Sequence, residues 1–281
     1  MSAYALESDF PHCLNISGGK SSAYMLRQII DANGFDKAGW PDDVRPVFTN
    51  TGREMEQTYE FLHKMETRWN VPLVWIELSQ RAGGVRYKRV DHETASRNGE
   101  PFKILVDEGK YLPTKHRRCC THYMKVYIMK KYMKDNFAGP YNSVLGYRFD
   151  EQNRNLTKAS SELNALAPMW DDPKATRPLI NAWWETQDFQ LNLPIYQERT
   201  LLGNCDLCFL KGKRNLIYSM RLLEKLGLRE RIQWWINLEG KTNGYLHETM
   251  SYADMHALAL DNSQPELIDD AETELACHCT D

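Results

Sequence analysis

Four of the seven cysteines form two doublets: Cys119-Cys120, directly after Arg117-Arg118, and Cys205-Asp206-Leu207-Cys208, after Gly203-Asn204. A Cys-x-x-Cys pair sets two thiolates on one turn, which suits zinc, an iron–sulfur cluster or dithiol exchange. Adjacent cysteines are less usual in zinc sites, whose ligands are normally spaced by two to four residues. On the residues alone, four-thiolate metal binding ranks ahead of inert buried thiols and of a redox dithiol. Cys277 and Cys279, in Ala276-Cys-His-Cys-Thr-Asp281, form a third pair. It reads as a sulfur carrier, a second metal-binding fragment or an unstructured end. Cys13 lies in an apolar run and reads as a small core residue.

A second group carries anion chemistry. Ser17-Gly18-Gly19-Lys20-Ser21-Ser22 stands between an apolar run and a helical pattern. Glycines let the backbone approach an anion, and the free amides of a helix start point at it. The hydroxyls and Lys20 add donors and charge. The spacing fits neither a Walker A loop nor a Gly-x-Gly-x-x-Gly turn, so phosphate binding rests on the loop's composition and place. Arg148, at the end of a strand-like run, is a further phosphate contact. Around the cysteines stand Lys115, Arg117, Arg118, Lys125, Lys211, Lys213 and Arg214, cations that favour thiolate and attract phosphate or sulfate. His12, His63 and His92 share no ligand spacing. The Trp183-Trp184 and Trp234-Trp235 pairs are read as helix-packing indoles in preference to base-stacking ones.

The elements that must position these groups follow from periodicity. Runs 11–16, 46–50, 71–78 and 142–147 predict strands, with 177–180 as a fifth. Helical spacing covers 21–33, ended by Gly34, then 54–69, the stretch around 124–132, and most of 200–260. Strands alternating with helices predict an α/β fold with a parallel sheet. Residues 80–118 read as an excursion with a short helix near 101–107, covering the site. The expected division is 1–200, a nucleotide-binding domain with that insertion, and 201–281, a helical region carrying Cys-x-x-Cys and the tail cysteines. The formal charge of −3 and the ordinary 42% hydrophobic content exclude a generally basic coat protein and wholesale disorder. No apolar run approaches a membrane span and no secretory signal opens the chain, so a cytoplasmic location without membrane partners is expected.

The order of several motifs resembles the phosphoadenosine phosphosulfate (PAPS) reductase branch of the PP-loop adenine-nucleotide α-hydrolase superfamily. Ser17-Gly-Gly-x-x-Ser22 is similar to the PP-loop that grips the pyrophosphate of ATP. Asn50-Thr51-Gly52 looks like that branch's Asp-Thr-Gly, with Asn in place of Asp, and Gly146-Tyr-Arg-Phe-Asp-Glu151 like its Gly-x-Arg-x-Asp-Glu. The resemblance, over roughly 12–210, implies a Rossmann-like sheet of about five strands with ATP, adenylyl sulfate or PAPS at its C-terminal edge. It also implies a [4Fe–4S] cluster on Cys119, Cys120, Cys205 and Cys208, or on the last three with an open iron. Related DNA phosphorothioation enzymes pair a PP-loop with such a cluster. The implied activity is ATP cleavage between the α and β phosphates coupled to sulfur transfer, with a sulfur donor or reductant protein as partner and nucleic acid among the acceptors. Sulfite release from a sulfonucleotide and non-catalytic nucleotide and redox sensing are the alternatives. Ser21 stands where many PP-loops have Asp, which bears on Mg²⁺. The tail lacks the reductases' Glu-Cys-Gly-x-His, so a catalytic role for Cys277 or Cys279 rests on position alone.

Overall fold

The computed structural model describes residues 2–154, 164–196, 199–242 and 244–261, so Cys277 and Cys279 lie outside the described residues. Strands β1 (His12–Ile16), β2 (Val44–Asn50) and β3 (Val74–Gln80) pair in parallel, with Ile16 opposite Phe48 and Phe48 opposite Trp75. Their burial is nearly continuous along each strand, not alternating, because helices cover both faces of a parallel sheet. β4 (Arg86–Val90) adds an antiparallel edge, while β5 (Asn142–Val144) and β6 (Asn164–Leu166) extend the other side in parallel. The sheet order is β4-β3-β2-β1-β5-β6. Strand order therefore reverses between β1 and β5, and the crevice at their carboxyl ends is where open α/β sheets receive ligands.

Helix α1 (Lys20–Asn33) leaves β1 through the serine-rich loop and buries Met25, Leu26, Ile29 and Ile30. Gly34 ends it in the left-handed conformation, its amide returning to the Ile30 carbonyl, as a helix C-cap requires. A short α2 (Phe35–Ala38) and then α3 (Glu56–Arg68) link the first three strands. In the excursion, α4 (Glu100–Gly109) precedes a helical segment built from α5 (Cys119–Thr121), a π-helical turn (His122–Tyr127) and α6 (Ile128–Asn136). The C-terminal part is helical: α7 (Arg177–Glu185), α8 (Lys213–Lys225), α9 (Arg229–Thr242) and α10 (Tyr252–Leu260), with a two-strand ribbon at β7 (Ile195–Tyr196) and β8 (Arg199–Thr200). Among the described residues no helix is long and apolar enough to cross a membrane.

The α/β class with a helical C-terminal part matches the expectation, and two strand assignments are corrected. Residues 177–180 open α7 and form no strand: Pro178 sits in the first turn, where its missing N–H is harmless. The helix then buries Ile180 and Trp184. The outer parallel strand is Asn164–Leu166, giving six strands where about five were expected. β4 also escaped the periodicity, because Arg-Tyr-Lys-Arg-Val is mostly charged, as edge strands often are. Cys13 is fully buried in the core, and the inner indoles Trp184 and Trp235 are core residues.

Gly18 and Gly34 separate two reasons for glycine. Both have positive φ, but a Cβ on Gly18 would lie 2.5 Å from Thr58 Cγ2, whereas Gly34 faces open space. Gly34→Ala should lower unfolding free energy by about 1 kcal/mol, and Gly18→Ala by at least about 2, because a steric clash is added. Urea unfolding that gives equal losses would contradict this packing of the loop on α3.

Candidate active site

The Ser17–Ser22 loop is organised by its own last serine. Ser22 Oγ accepts from the Ser17 amide at 3.1 Å, meets Ser17 Oγ at 2.9 Å and donates to the Gly19 carbonyl at 3.1 Å. The Gly19 amide turns back onto Ser17 Oγ at 3.3 Å. Among the described residues no side chain caps α1 and no acidic residue stands in its first turn, an arrangement whose positive end favours an anion. Trp184 Nε1 fixes the loop from outside by donating to the Lys20 carbonyl at 2.9 Å. Burial pushes the Lys20 ammonium below its usual range, with Glu185 opposing, and Lys20 Nζ reaches Asn181 Oδ1 at 3.4 Å.

Across the crevice, the β5 end supplies Gly146 and Arg148. A Cβ on Gly146 would come 3.0 Å from Ser22 Cα, so glycine permits this close approach. Arg148 is 3% exposed, and its guanidinium is held by Asp150 at 3.0 Å and Glu151 at 3.1 Å while Nη1 lies 3.4 Å from Ser21 Oγ. The sequence-predicted Ser21 and Arg148 thus meet at the reversal of strand order. They gather hydroxyls, the first amides of α1 and one oriented guanidinium, donor types that suit an anion.

The end of β2 forms the next wall. Asn50 is fully buried, and its Oδ1 accepts from the Gly52 amide at 2.9 Å and Tyr59 at 3.0 Å. Its Nδ2 donates to Glu77 and to the Ser96 carbonyl, both at 2.9 Å. These four bonds engage the whole capacity of an amide side chain, and they shape the Gly52 turn. Gly52 has a positive φ, and its carbonyl accepts from Gly99 at 2.9 Å. Thr51 Oγ1 donates to Glu54 at 2.8 Å and lies 3.3 Å from Cys205 Sγ. The thiol loop and the serine-rich loop therefore occupy neighbouring strand ends of one sheet edge.

Asp206, inside the Cys-x-x-Cys, makes that junction. It is fully buried, with Oδ2 bonded to Arg53 at 2.8 Å and Arg231 at 2.5 Å, and Oδ1 to Trp235 Nε1 at 2.7 Å. Burial alone would raise its pKa, but the two guanidiniums outweigh it and hold the carboxylate below its usual value. Arg53 stacks over Trp234 at 4.4 Å, and a Cβ on Gly99 would collide with that indole at 2.2 Å. Asn204, with φ 54°, turns the chain into the loop. Lys211 then threads its ammonium onto the carbonyls of Leu201 at 2.6 Å, Gly203 at 3.3 Å, Cys205 at 3.3 Å and Asp206 at 2.9 Å. Arg53, Asp206 and Arg231 were not singled out in the sequence; an acid between two cysteines is the one local sign of them.

Cys119 and Cys205 are buried, Cys120 and Cys208 are half-buried, and none is in a disulfide. Burial pushes the Cys205 thiol up, Glu54 adds to this, and Lys125 pulls it down. Burial likewise raises Cys119, against Arg81 and Arg117. Lys125 lies on the π-helical turn that follows the Cys119-Cys120 doublet, so this segment reaches the Cys205 surroundings. Among the described residues no three of these thiols have sulfurs mutually within 4.8 Å, the close packing that a single zinc with Zn–S of about 2.3 Å demands. The remaining cations divide: Lys211 is structural, Lys115 pairs with Glu248, and Arg117 lies on Tyr111. The fold also brings His92 to Glu56 and Glu60, a grouping of ligand atoms invisible in the spacing. Arg97 already bonds Glu56 through two nitrogens, which marks a surface ion-pair cluster.

The fold is a helix-covered, mostly parallel α/β sheet whose serine-rich loop and clamped Cys-x-x-Cys turn lie at neighbouring strand ends. The chain is 31% identical over 211 residues to a protein of Escherichia phage lambda described as the uncharacterized nin region protein ORF290, covering 72% of this chain and 67% of that one. It belongs to the family of that phage protein. Among solved structures it is similar to a PAPS reductase from Candida auris in a phosphate complex, at 15% identity and a TM-score of 0.38, over 63% of this chain and 73% of that one. No known family profile matches the chain.

Removing the clamp should be costly. Asp206→Ala leaves two buried guanidiniums facing each other and should lose about 3–5 kcal/mol of stability, measured by denaturant unfolding. It should also expose Cys205 to iodoacetamide. A loss under about 1 kcal/mol with Cys205 still protected would refute the clamp.

Proposed function

We propose that this chain is a nucleotide-dependent enzyme of the PP-loop kind that cleaves ATP between its α and β phosphates and couples adenylylation to sulfur transfer. One observation carries the reading: the Ser17–Ser22 cradle and Arg148 meet where strand order reverses, and Cys205 lies on the adjoining strand end, 3.3 Å from Thr51. In this reading an acceptor oxygen attacks the α-phosphorus, the bond to the β-phosphate oxygen breaks, and pyrophosphate leaves. Hydrosulfide from a donor then displaces AMP, forming a carbon–sulfur bond as the carbon–oxygen bond breaks. The α1 amides and Arg148 stabilise charge on the phosphates, and fixed placement supplies the rest of the acceleration. Gly18, Gly19 and Gly52 give the backbone room, and Asn50 and Thr51 hold the adjoining wall.

Four thiols as a donor set are the chemistry that a [4Fe–4S] cluster takes. The four cysteines lie on two segments, in no disulfide among the described residues, with Lys125 acting on Cys205 and with Arg81 and Arg117 acting on Cys119. Cys119, Cys120, Cys205 and Cys208 would hold it, and when bound it supplies redox-active iron and sulfide next to the nucleotide. Asp206 and Lys211 keep the Cys205 loop in shape for it. The tail cysteines Cys277 and Cys279 and a Mg²⁺ on the phosphates remain part of the proposal.

Anaerobically reconstituted protein should be brown, absorbing near ~400 nm, and Cys205→Ala or Cys120→Ala should bleach it. With ATP and a sulfide source it should release pyrophosphate, and Arg148→Ala should lower kcat/KM about 100-fold. Sulfite from adenylyl sulfate or PAPS, with no pyrophosphate from ATP, would replace this reading by sulfonucleotide reduction. ATP binding without any product would replace it by sensing.

A further inference from the structure

The chain is net acidic, yet residues 81–136 carry 14 Lys and Arg against 6 Asp and Glu, a local surplus of 8. Two of these guanidiniums are stacked on tyrosine rings. Arg117 lies 4.5 Å over the ring of Tyr111, and Arg81 lies 4.6 Å over that same ring and 4.4 Å over Tyr123. Tyr123 in turn lies 6.4 Å from Tyr127, the rings tilted by 35°. Five planar groups, guanidinium and phenol, therefore form one row across the excursion and the π-helical turn. One end of the row is Tyr127, which is 41% exposed and lies 6.0 Å from the exposed His122, and the other end is the exposed Arg117. Helix α6 continues the same segment and carries Lys130, Lys131 and Lys134.

The row borders the candidate site. Tyr123 and Tyr127 follow the Cys119-Cys120 doublet within one helical segment. Two of its guanidiniums, Arg81 and Arg117, are the cations that act on Cys119. Among the described residues the acids near it are engaged: Glu248 pairs with Lys115, Asp135 with Lys131, and Glu108 accepts from the Arg81 and Ala82 amides. π-Helical turns are rare, and they concentrate at functional sites.

We propose that this row and the α6 lysines seat a single-stranded nucleic acid, which is the acceptor for the site next to it. The acceptor role rests on the function proposed above; the binding surface stands apart from it. Rings and guanidinium planes stack unpaired bases, while cations follow the backbone phosphates. A duplex hides its base faces and offers an exposed tyrosine nothing to stack on. An acidic protein would meet the cations but has no repeated planar groups for the row.

The test is fluorescence anisotropy with labelled single-stranded DNA and RNA of about 20 nucleotides, and the matching duplex, without ATP and with no requirement for a loaded cluster. Both single strands should bind at low salt, and the duplex about ten-fold more weakly. Tyr127→Ala should weaken binding about ten-fold with an unchanged salt slope. Arg117→Glu with Lys134→Glu should weaken it and reduce the slope by about 0.7 per lost phosphate contact. Lys37→Glu, on the exposed α2, should match wild type, and circular dichroism should show all variants folded. Absence of binding, duplex binding equal to single-strand binding, or wild-type affinity in Tyr127→Ala would each overturn the proposal. Pyrophosphate release alongside such a result would leave the nucleotide chemistry standing and remove only this acceptor.

Discussion

One buried carboxylate decides whether this molecule has a site at all. Asp206 accepts from two guanidiniums and an indole that belong to segments far apart in sequence: the end of β2 and helix α9. A buried ion pair contributes little net stability over an apolar packing of the same shape. Its effect is one of position. It fixes the Cys-x-x-Cys turn against Thr51 and Glu54, with the Arg53 and Asp206 backbones also joined at 2.9 Å. Lys211 satisfies four carbonyls of the same turn, which otherwise would be expensive to bury. Leu207, Phe209 and Leu210 add apolar anchoring, since all three are buried in the core.

The sheet provides the second constraint. Parallel strands with both faces covered bring every β-to-α connection to one edge. The serine loop, the Gly52 turn and the Gly146–Arg148 segment are three such connections, so their proximity follows from topology. Close backbone approach completes it, at Gly18 against Thr58, Gly146 against Ser22 and Gly52 against Gly99. These are positions where a side chain would push the walls apart.

Much of this was legible in the chain. Leu14, Ile16, Val47, Phe48 and Ile76 fall in short apolar-rich runs, and Met25, Leu26, Ile29 and Ile30 repeat at helical spacing, so the first three strands and two long helices could be read locally. The three-residue β6 gives no period to detect. Arg-Pro-Leu-Ile mimics a strand until the docking of Trp184 is known, and the charged β4 hides its pairing with β3. At the candidate site, residue types drew attention to the serine-rich loop and both cysteine doublets, and the structure sets that loop and the Cys205 turn at neighbouring strand ends. Asn50 was marked by its place after β2, while the structure shows its amide wholly engaged in shaping the turn. The Arg53–Asp206–Arg231 clamp joins partners separated by 153 and 25 residues, and no local pattern encodes that pairing.

The account stands or falls on nucleotide and thiols sharing one edge. Mass-spectrometric footprinting of the reduced protein, following alkylation of Cys120 and Cys208 as ATP is titrated, tests it directly. The account predicts that both half-buried thiols slow in step with ATP binding, and that Arg148→Ala shifts the two curves together. ATP that binds tightly while both thiols react at their free rates would place the nucleotide elsewhere and contradict it.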